Sequence, residues 1–315
     1  MSEADLTPPV ASIVVIAYNE AARIARCLAA LTTQDHPGRY EIIVVDDGST
    51  DNTAMIAGRY APTVRVVRLP HNQGRGAARR AGVDASRGTA IGFVDADIVV
   101  GTDWLRRCLE ALPGRAAVGG IAVPDGDVAP LARITGAAMR PVAGSMPITG
   151  NNVLFDGAIL RRTGFDENAR LGEDFRLAAR LIEEGHLLER VDGLEVAHHE
   201  TKTYRKSLRW LHESGVDATS LLVEYRRVRT PDLAWAGSVA AAIAGLSLAL
   251  RRGPYWLLLG PLSVLAVSLL HTVTRFRARP TLRFALAALM NIPLTASYLA
   301  GRTRGAARLL TGRRR

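Results

Sequence analysis

The chain has 315 residues, 48% of them hydrophobic and 5% aromatic, enough for one large globular domain plus an appendage. Its net charge of +10 hides a division: from Arg226 to the end there are fifteen arginines and no lysine against one acid, Asp232, so that stretch carries +14 and the rest −4. A basic surface spread over a whole domain would suggest nucleic acid; here the arginines bracket apolar segments, which excludes that partner and points to anionic lipid headgroups.

The polar, acidic Met1–Pro9 stretch lacks a charged-then-apolar signal pattern. Strand and helix signals then alternate over the first hundred residues. Ser12–Ala17 is a short β-branched run. Glu20–Leu31 has helical spacing, with Ile24, Leu28 and Leu31 on one face. Glu41–Val45 is a buried strand ending at Asp46-Asp47-Gly48-Ser49, and Thr50–Tyr60 reads as a helix. Val64–Leu69 is a third strand, Gly74–Ala85 a helix, and Ala90–Val94 a fourth strand ending at Asp95. This order predicts an α/β fold with a doubly wound, mostly parallel sheet. Ligands bind such sheets beyond the carboxyl ends of the strands, where Asp46, Asp47, Asp95 and Asp97 all fall. Cys27 and Cys108 lie in predicted helices, form no metal-type cluster and read as reduced core residues of a cytoplasmic domain.

Beyond residue 116, strands are expected around Val118–Val123 and Asn151–Phe155, with helices over Glu173–Glu184 and Tyr204–Arg229. After Pro231 come apolar runs at Leu233–Leu250 and Tyr255–His271, each near the lower length for crossing a bilayer. Leu282–Ala300 is a third, interrupted by Asn291 and Pro293. Three spans would put the arginine-rich terminus outside, against the positive-inside rule. Two spans with the third run lying in the interface would keep it inside, and Arg251-Arg252 at the first turn suits neither scheme well. The expected division is one domain over 1–230, in halves at 10–112 and 113–230, followed by membrane-associated helices over 231–315.

Four local patterns carry chemistry. Asp95-Ala-Asp97 at a strand end can converge two carboxylates on Mg2+ or Mn2+, or can be a solvated turn. Asp46-Asp47-Gly-Ser49-Thr50 can offer carboxylates to a base or ribose while Ser49 or Thr50 caps the next helix. In Ala17-Tyr18-Asn19-Glu20, Tyr18 can stack on a base and Glu20 accept a sugar hydroxyl, or Asn19 can cap a helix. Glu173-Asp174 opens a helix, a place ordinary for acids and also suited to a general base.

Together these motifs resemble the inverting family-2 glycosyltransferases with the GT-A fold. The match runs from Ser12-Ile-Val-Val-Ile-Ala-Tyr-Asn-Glu20 through Glu41-Ile-Ile-Val-Val-Asp-Asp-Gly-Ser-Thr-Asp51, Asn72-Gln-Gly-Arg-Gly-Ala-Ala-Arg79, Phe93-Val-Asp-Ala-Asp97 and Thr149-Gly-Asn-Asn152 to Gly164-Phe-Asp-Glu167 and Gly172-Glu-Asp174. The resemblance implies that Ala17, Tyr18, Glu20, Asp46, Asp47, Arg79 and Asp95 bind the nucleotide. It implies Asp97, Asp95 and His199 at a divalent metal, Asn151 and Asn152 near the acceptor, and Asp174, beside Glu173, as the base. Lys206-Ser-Leu-Arg209-Trp210 is similar to the arginine-tryptophan motif of processive members, which would put Arg209 and Trp210 at the acceptor; Trp210 in a helix core is the other reading. Arg80 and Arg176 depart from the family pattern; Arg176 could lower the base's pKa or receive an acceptor phosphate.

The implied function is metal-dependent transfer, with inversion, from a UDP- or GDP-linked sugar to a lipid or polysaccharide acceptor. The implied location is the inner membrane, with the catalytic domain cytoplasmic. Alternatives are an inactive membrane scaffold that keeps the fold and a sugar nucleotidyltransferase. The latter's Gly-rich, Gly-Thr-Arg loop is replaced here by Ala-Tyr-Asn-Glu.

Overall fold

The computed structural model describes residues 8–125, 148–167, 169, 172–199, 203–225, 230–276 and 282–311. They fall into two units, with the dividing line near residue 200.

The first unit opens with β1 (Ala11–Ala17), α1 (Ile24–Leu31), β2 (Tyr40–Asp46), α2 (Thr53–Gly58), β3 (Val64–Arg68), α3 (Arg75–Ala85) and β4 (Ala90–Asp95). It continues with β5 (Ile98–Val99), α4 (Trp104–Ala111), β6 (Ala117–Pro124), β7 (Asn152–Asp156), α5 (Gly157–Thr163), α6 (Glu173–Glu183) and β8 (Leu188–His198). The strands form one sheet in the order β3-β2-β1-β4-β7-β6-β8-β5. The first four are parallel, as the alternating pattern predicts, with Ala17 opposite Asp46 and Ile16 opposite Asp95. β7 runs antiparallel to β4 and β6.

Side-chain alternation along β1 builds both layers. Ile13 and Val15 face a core of Ile24, Leu28, Leu31, Trp104 and Leu105 from α1 and α4. Val14 faces Ala78, Val83, Leu160, Leu177 and Leu181 from α3, α5 and α6. In the second layer Phe93, Phe155 and Phe165 pack edge to face, the closest pair 5.1 Å apart between centroids. Gly48 turns the chain after β2 at φ +70°, where a Cβ would stand 2.5 Å from the His71 carbonyl carbon.

The structure corrects several local expectations. Helix α1 begins at Ile24, and residues 20–23 form a turn. Asn19 does not cap it: the residue sits at φ 56°, and its Oδ1 accepts from Thr50 N–H at 2.9 Å. Neither Ser49 nor Thr50 caps α2, whose N-cap is Asn52. Ser49 Oγ instead accepts from Asn19 N–H at 2.9 Å and Thr53 Oγ1 from Glu20 N–H at 2.8 Å. These bonds zip the loop after β1 to the loop after β2.

The second unit holds α7 (Tyr204–Tyr225), α8 (Thr230–Arg252), a 3-10 turn (Pro254–Leu258), α9 (Leu259–Phe276) and α10 (Leu282–Leu310). The end of the predicted Tyr204–Arg229 helix, 226–229, lies outside the described residues. Two stretches, Pro231–Arg252 and Pro254–Val273, are long and apolar enough to cross a bilayer. Their apolar side chains point outward, Ile243, Leu250, Leu258 and Leu270 among them. The third apolar run is one helix extending to Leu310 with Pro293 inside it, and it is not such a stretch among the described residues.

Helices α7 and α10 run parallel: Tyr204 Oη donates to Met290 O, Ser297 Oγ to Leu208 O, and Thr219 Oγ1 to Arg302 O. Arg302 is fully buried, pairs with Asp232 at the start of α8 and lies 5.2 Å over the Trp235 ring. Asn291 Nδ2 donates to Thr272 Oγ1 near the end of α9 at 3.1 Å.

Candidate active site

The site gathers at the carboxyl ends of β1, β2 and β4. Asp95 ends β4 and Asp97 follows it, each about a fifth exposed. Glu20, on the loop after β1, is near both. Burial raises its carboxyl pKa most, Arg23 pulls it back, and the charges of Asp97 and Asp95 add to the rise. Tyr18 is 44% exposed on the same loop, with its ring open to a ligand, while Ala17 is buried and its carbonyl accepts from Asp47 N–H.

The paired acids after β2 are committed to the loops. Asp46 is fully buried, accepts from Ser49 N–H at 3.1 Å and pairs with Arg68 Nε at 3.2 Å. Asp47 accepts from Gln73 N–H at 2.7 Å and Gly74 N–H at 3.0 Å, and burial raises its carboxyl pKa against those bonds. Both shape the loop that follows β2.

His198 ends β8 and His199 follows it. His198 Nε2 lies 3.3 Å from Asp97 Oδ2. His199, expected at the metal, turns its Nδ1 to Asp125 at 3.9 Å, where Asp125 also accepts from Arg26. The imidazole beside the Asp95-Ala-Asp97 turn is therefore that of His198. Carboxylate oxygen and imidazole nitrogen, which Asp97 and His198 offer side by side, are donor types that Mg2+ or Mn2+ takes. Among the described residues no group of three His, Cys, Asp or Glu side chains could hold an ion alone.

Asp174 lies half-buried in the first turn of α6, which Gly172 opens at φ 70°. Its Oδ2 accepts from Gly150 N–H at 2.9 Å and its Oδ1 from Phe175 N–H at 2.9 Å. Glu173 is 1% exposed and bonded through Oε1 to Arg79 Nε, so it supports the site from inside. Burial raises its carboxyl pKa against the pull of Arg79. Arg79 is also 1% exposed. Its guanidinium bonds to Glu173, the Gly150 carbonyl and Asp95, all inside the protein. Burial lowers its pKa, but the charges of Asp95, Glu173 and Asp174 outweigh that and raise it.

The two asparagines part in the same way. Asn151 is half-buried, and its Oδ1 accepts from Thr149 Oγ1 at 2.8 Å. Asn152 begins β7, is fully buried and accepts from Trp104 Nε1 at 2.6 Å, so it belongs to the core. Arg176 is 7% exposed. Arg209 and Trp210 are on α7 in the second unit; Trp210 is 40% exposed, which sets aside a core role.

A parallel α/β half, an Asp-x-Asp turn at a central strand end and an oriented carboxylate opening a later helix define the class: a nucleotide-sugar type GT-A domain. Residues 12–165 match the family described as Glycosyl transferase family 2, and the chain carries a domain of that family. It is 34% identical over 200 residues to the succinoglycan biosynthesis protein ExoO of Rhizobium meliloti, covering 55% of this chain and 56% of that protein. It is 40% identical over 95 residues to the dodecaprenyl-phosphate galacturonate synthase of Rhizobium johnstonii, covering 28% of each. The chain thus spans about half or less of the length of these curated relatives. Its fold is similar to that of the mannosyltransferase PcManGT of Pyrobaculum calidifontis, solved with GDP-Man and Mn2+. The TM-score is 0.59 at 20% identity, covering 98% of this chain and 88% of that one.

Proposed function

We propose that the chain transfers a sugar from a UDP- or GDP-linked donor to a hydroxyl of a lipid or polysaccharide acceptor, with inversion, at the cytoplasmic face of the inner membrane. The observation that carries this reading is two carboxylate groups tied to one network: Asp95, beside Asp97 and bonded to Arg79, and Asp174, held by the N–H of Gly150, whose carbonyl also accepts from Arg79. Asp97 and Asp95, with His198 beside them, are the residues that would hold Mg2+ or Mn2+. When bound, the ion neutralises charge on the departing nucleoside diphosphate. Tyr18 stacks on the base, and the loop built on Asp46 and Asp47 shapes its pocket. Asp174 takes the proton of the acceptor hydroxyl as it attacks the anomeric carbon in line, which inverts the configuration. Burial of Arg176 favours a hydroxyl acceptor over a phosphate received by that residue. The relatives named for succinoglycan biosynthesis and for dodecaprenyl-phosphate galacturonate support a polysaccharide or lipid acceptor.

The acceptor class is tested by incubating full-length protein and isolated membranes with radiolabelled sugar nucleotides. The label is expected in the organic-extractable or the polymer fraction, with inverted anomeric configuration by NMR. Label released only as free sugar would contradict transfer.

The contacts of α10 also support a two-span topology. It touches Asp232 at the start of the first apolar stretch and Thr272 at the end of the second. A hairpin of two spans starts and ends on one membrane face, so a helix that meets both ends runs along that face. In intact spheroplasts an impermeant maleimide is expected to label Tyr255→Cys, at the hairpin turn, and to spare Thr311→Cys. The native Cys27 and Cys108 are buried and stay silent. Labelling of Thr311→Cys from outside would establish three spans instead.

A further inference from the structure

A hydrogen-bonded path joins the two carboxylate groups of the site. Arg79 Nη2 donates to Asp95 Oδ1 at 3.2 Å, and Arg79 Nη1 donates to the Gly150 carbonyl at 2.6 Å. The N–H of the same Gly150 donates to Asp174 Oδ2 at 2.9 Å. The remaining edge of the guanidinium, Nε, bonds to Glu173 Oε1 at 3.0 Å, one residue before Asp174. Four pieces of chain therefore meet at one side chain: α3, the end of β4, the turn before β7 and the start of α6.

The setting restrains the fork further. The guanidinium carbon lies 5.1 Å from the Phe93 ring centroid and 5.7 Å from that of Phe165. At Gly150 a Cβ would come 2.7 Å from Arg79 Nη2 and 3.1 Å from Asp174 Cβ, so this turn leaves no room for a side chain. The side chain is 1% exposed and all three edges of its guanidinium are directed at Glu173, the Gly150 carbonyl and Asp95, which leaves no edge for a nucleotide.

We propose that Arg79 is a positioning residue that fixes the spacing between the donor-side carboxylate Asp95 and the base Asp174; the inference rests on the transferase reading above. A planar fork with directional donors on three edges suits this task, and a lysine ammonium cannot reproduce it. In-line displacement needs donor and base registered within about an ångström, and a misplacement of that size can cost about 10²-fold in rate. Arg79 therefore acts on turnover through Asp174, and its loss leaves nucleotide affinity in place.

The test uses full-length protein in detergent with Mn2+, radiolabelled UDP-glucose, UDP-N-acetylglucosamine and GDP-mannose, and isolated membranes as acceptor source. Calorimetry with UDP and GDP reads affinity independently, and thermal melting checks folding. Arg79→Lys is expected to lower kcat at least about 10²-fold, with donor KM and nucleotide Kd within about threefold of wild type. Combined with Asp174→Asn it is expected to add less than about twofold, because both changes act on one element. Should Arg79→Lys fail to fold, Gly150→Ala disturbs the same path without removing a charge and is held to the same kcat-against-KM criterion. A raised KM or Kd with kcat retained would overturn the proposal and restore Arg79 as a nucleotide contact. An unchanged kcat, or a loss multiplying that of Asp174→Asn, would also overturn it. A wild-type protein that binds UDP or GDP but turns over no donor defeats the transferase reading itself, a result distinct from active wild type with active variants.

Discussion

Asp174→Asn is expected to lower kcat for transfer by about 10²–10⁴-fold, the range that a positioned general base supplies, with donor KM little changed. The asparagine is isosteric, and its side-chain oxygen can still accept from Gly150 N–H, as Asp174 Oδ2 does at 2.9 Å. What it cannot do is take a proton. An acceptor hydroxyl must lose one as the glycosidic bond forms, whereas an acceptor phosphate arrives already ionised. The size of the loss therefore reports on the acceptor as well as the base. A large drop in nucleoside diphosphate release, with the donor still bound, is the predicted result. Unchanged turnover would remove Asp174 from the proton path.

Asp97→Ala carries the second large effect. Asp97 is about a fifth exposed beside His198, with Asp95 as the other carboxylate of the turn. An ion held there supplies several kcal/mol of charge stabilisation, so the loss in turnover is expected on the order of 10²–10³-fold. The change should also abolish the gain in UDP or GDP affinity that Mn2+ gives the wild type, measured by calorimetry with and without the ion. This second readout separates a metal ligand from a residue that only shapes the turn. A variant that keeps its Mn2+ response would place the ion elsewhere.

The parallel half of the sheet was legible because its strands are buried on both faces. Ile13–Ile16, Ile42–Val45 and Ile91–Val94 are near-continuous apolar runs, and the last two end just before a carboxylate. β8 was not legible as a full strand. In Leu188–His198 charged residues interrupt the apolar ones, and only Leu194 and Val196 are fully buried. The resemblance named the motifs, but it could not say which member of a pair is buried and which points into the site. Asn151 and Asn152, or His198 and His199, are neighbours whose roles depend on strand parity, and parity is set by pairing with distant chain. Pairing puts Ile98 opposite His198, so register alone would place His199 beside Asp97, and it is the direction of the His198 side chain at the strand end that brings its Nε2 to Asp97.

Arg79 was hidden for a related reason. It falls on the same α3 face as Gly76, Ala78 and Val83, a buried stripe. An arginine there is tolerable only because Glu173, Asp95 and the Gly150 carbonyl, 94, 16 and 71 residues away, converge on it. Such partners leave no local trace. The apolar tail was legible in length and composition. The third apolar run differs from the two candidate spans in holding Pro293 and in its polar contacts, Arg302 with Asp232 and Asn291 with Thr272.

The central claim is metal-dependent use of a sugar nucleotide, and donor turnover tests it most directly. Purified full-length protein in detergent would be given UDP- and GDP-linked sugars with membranes as acceptor source, in Mn2+, in EDTA, and in EDTA followed by excess Mn2+. The account predicts release of nucleoside diphosphate from one donor, abolished by EDTA and restored by the ion. Failure to turn over any donor, or turnover indifferent to EDTA, would contradict it.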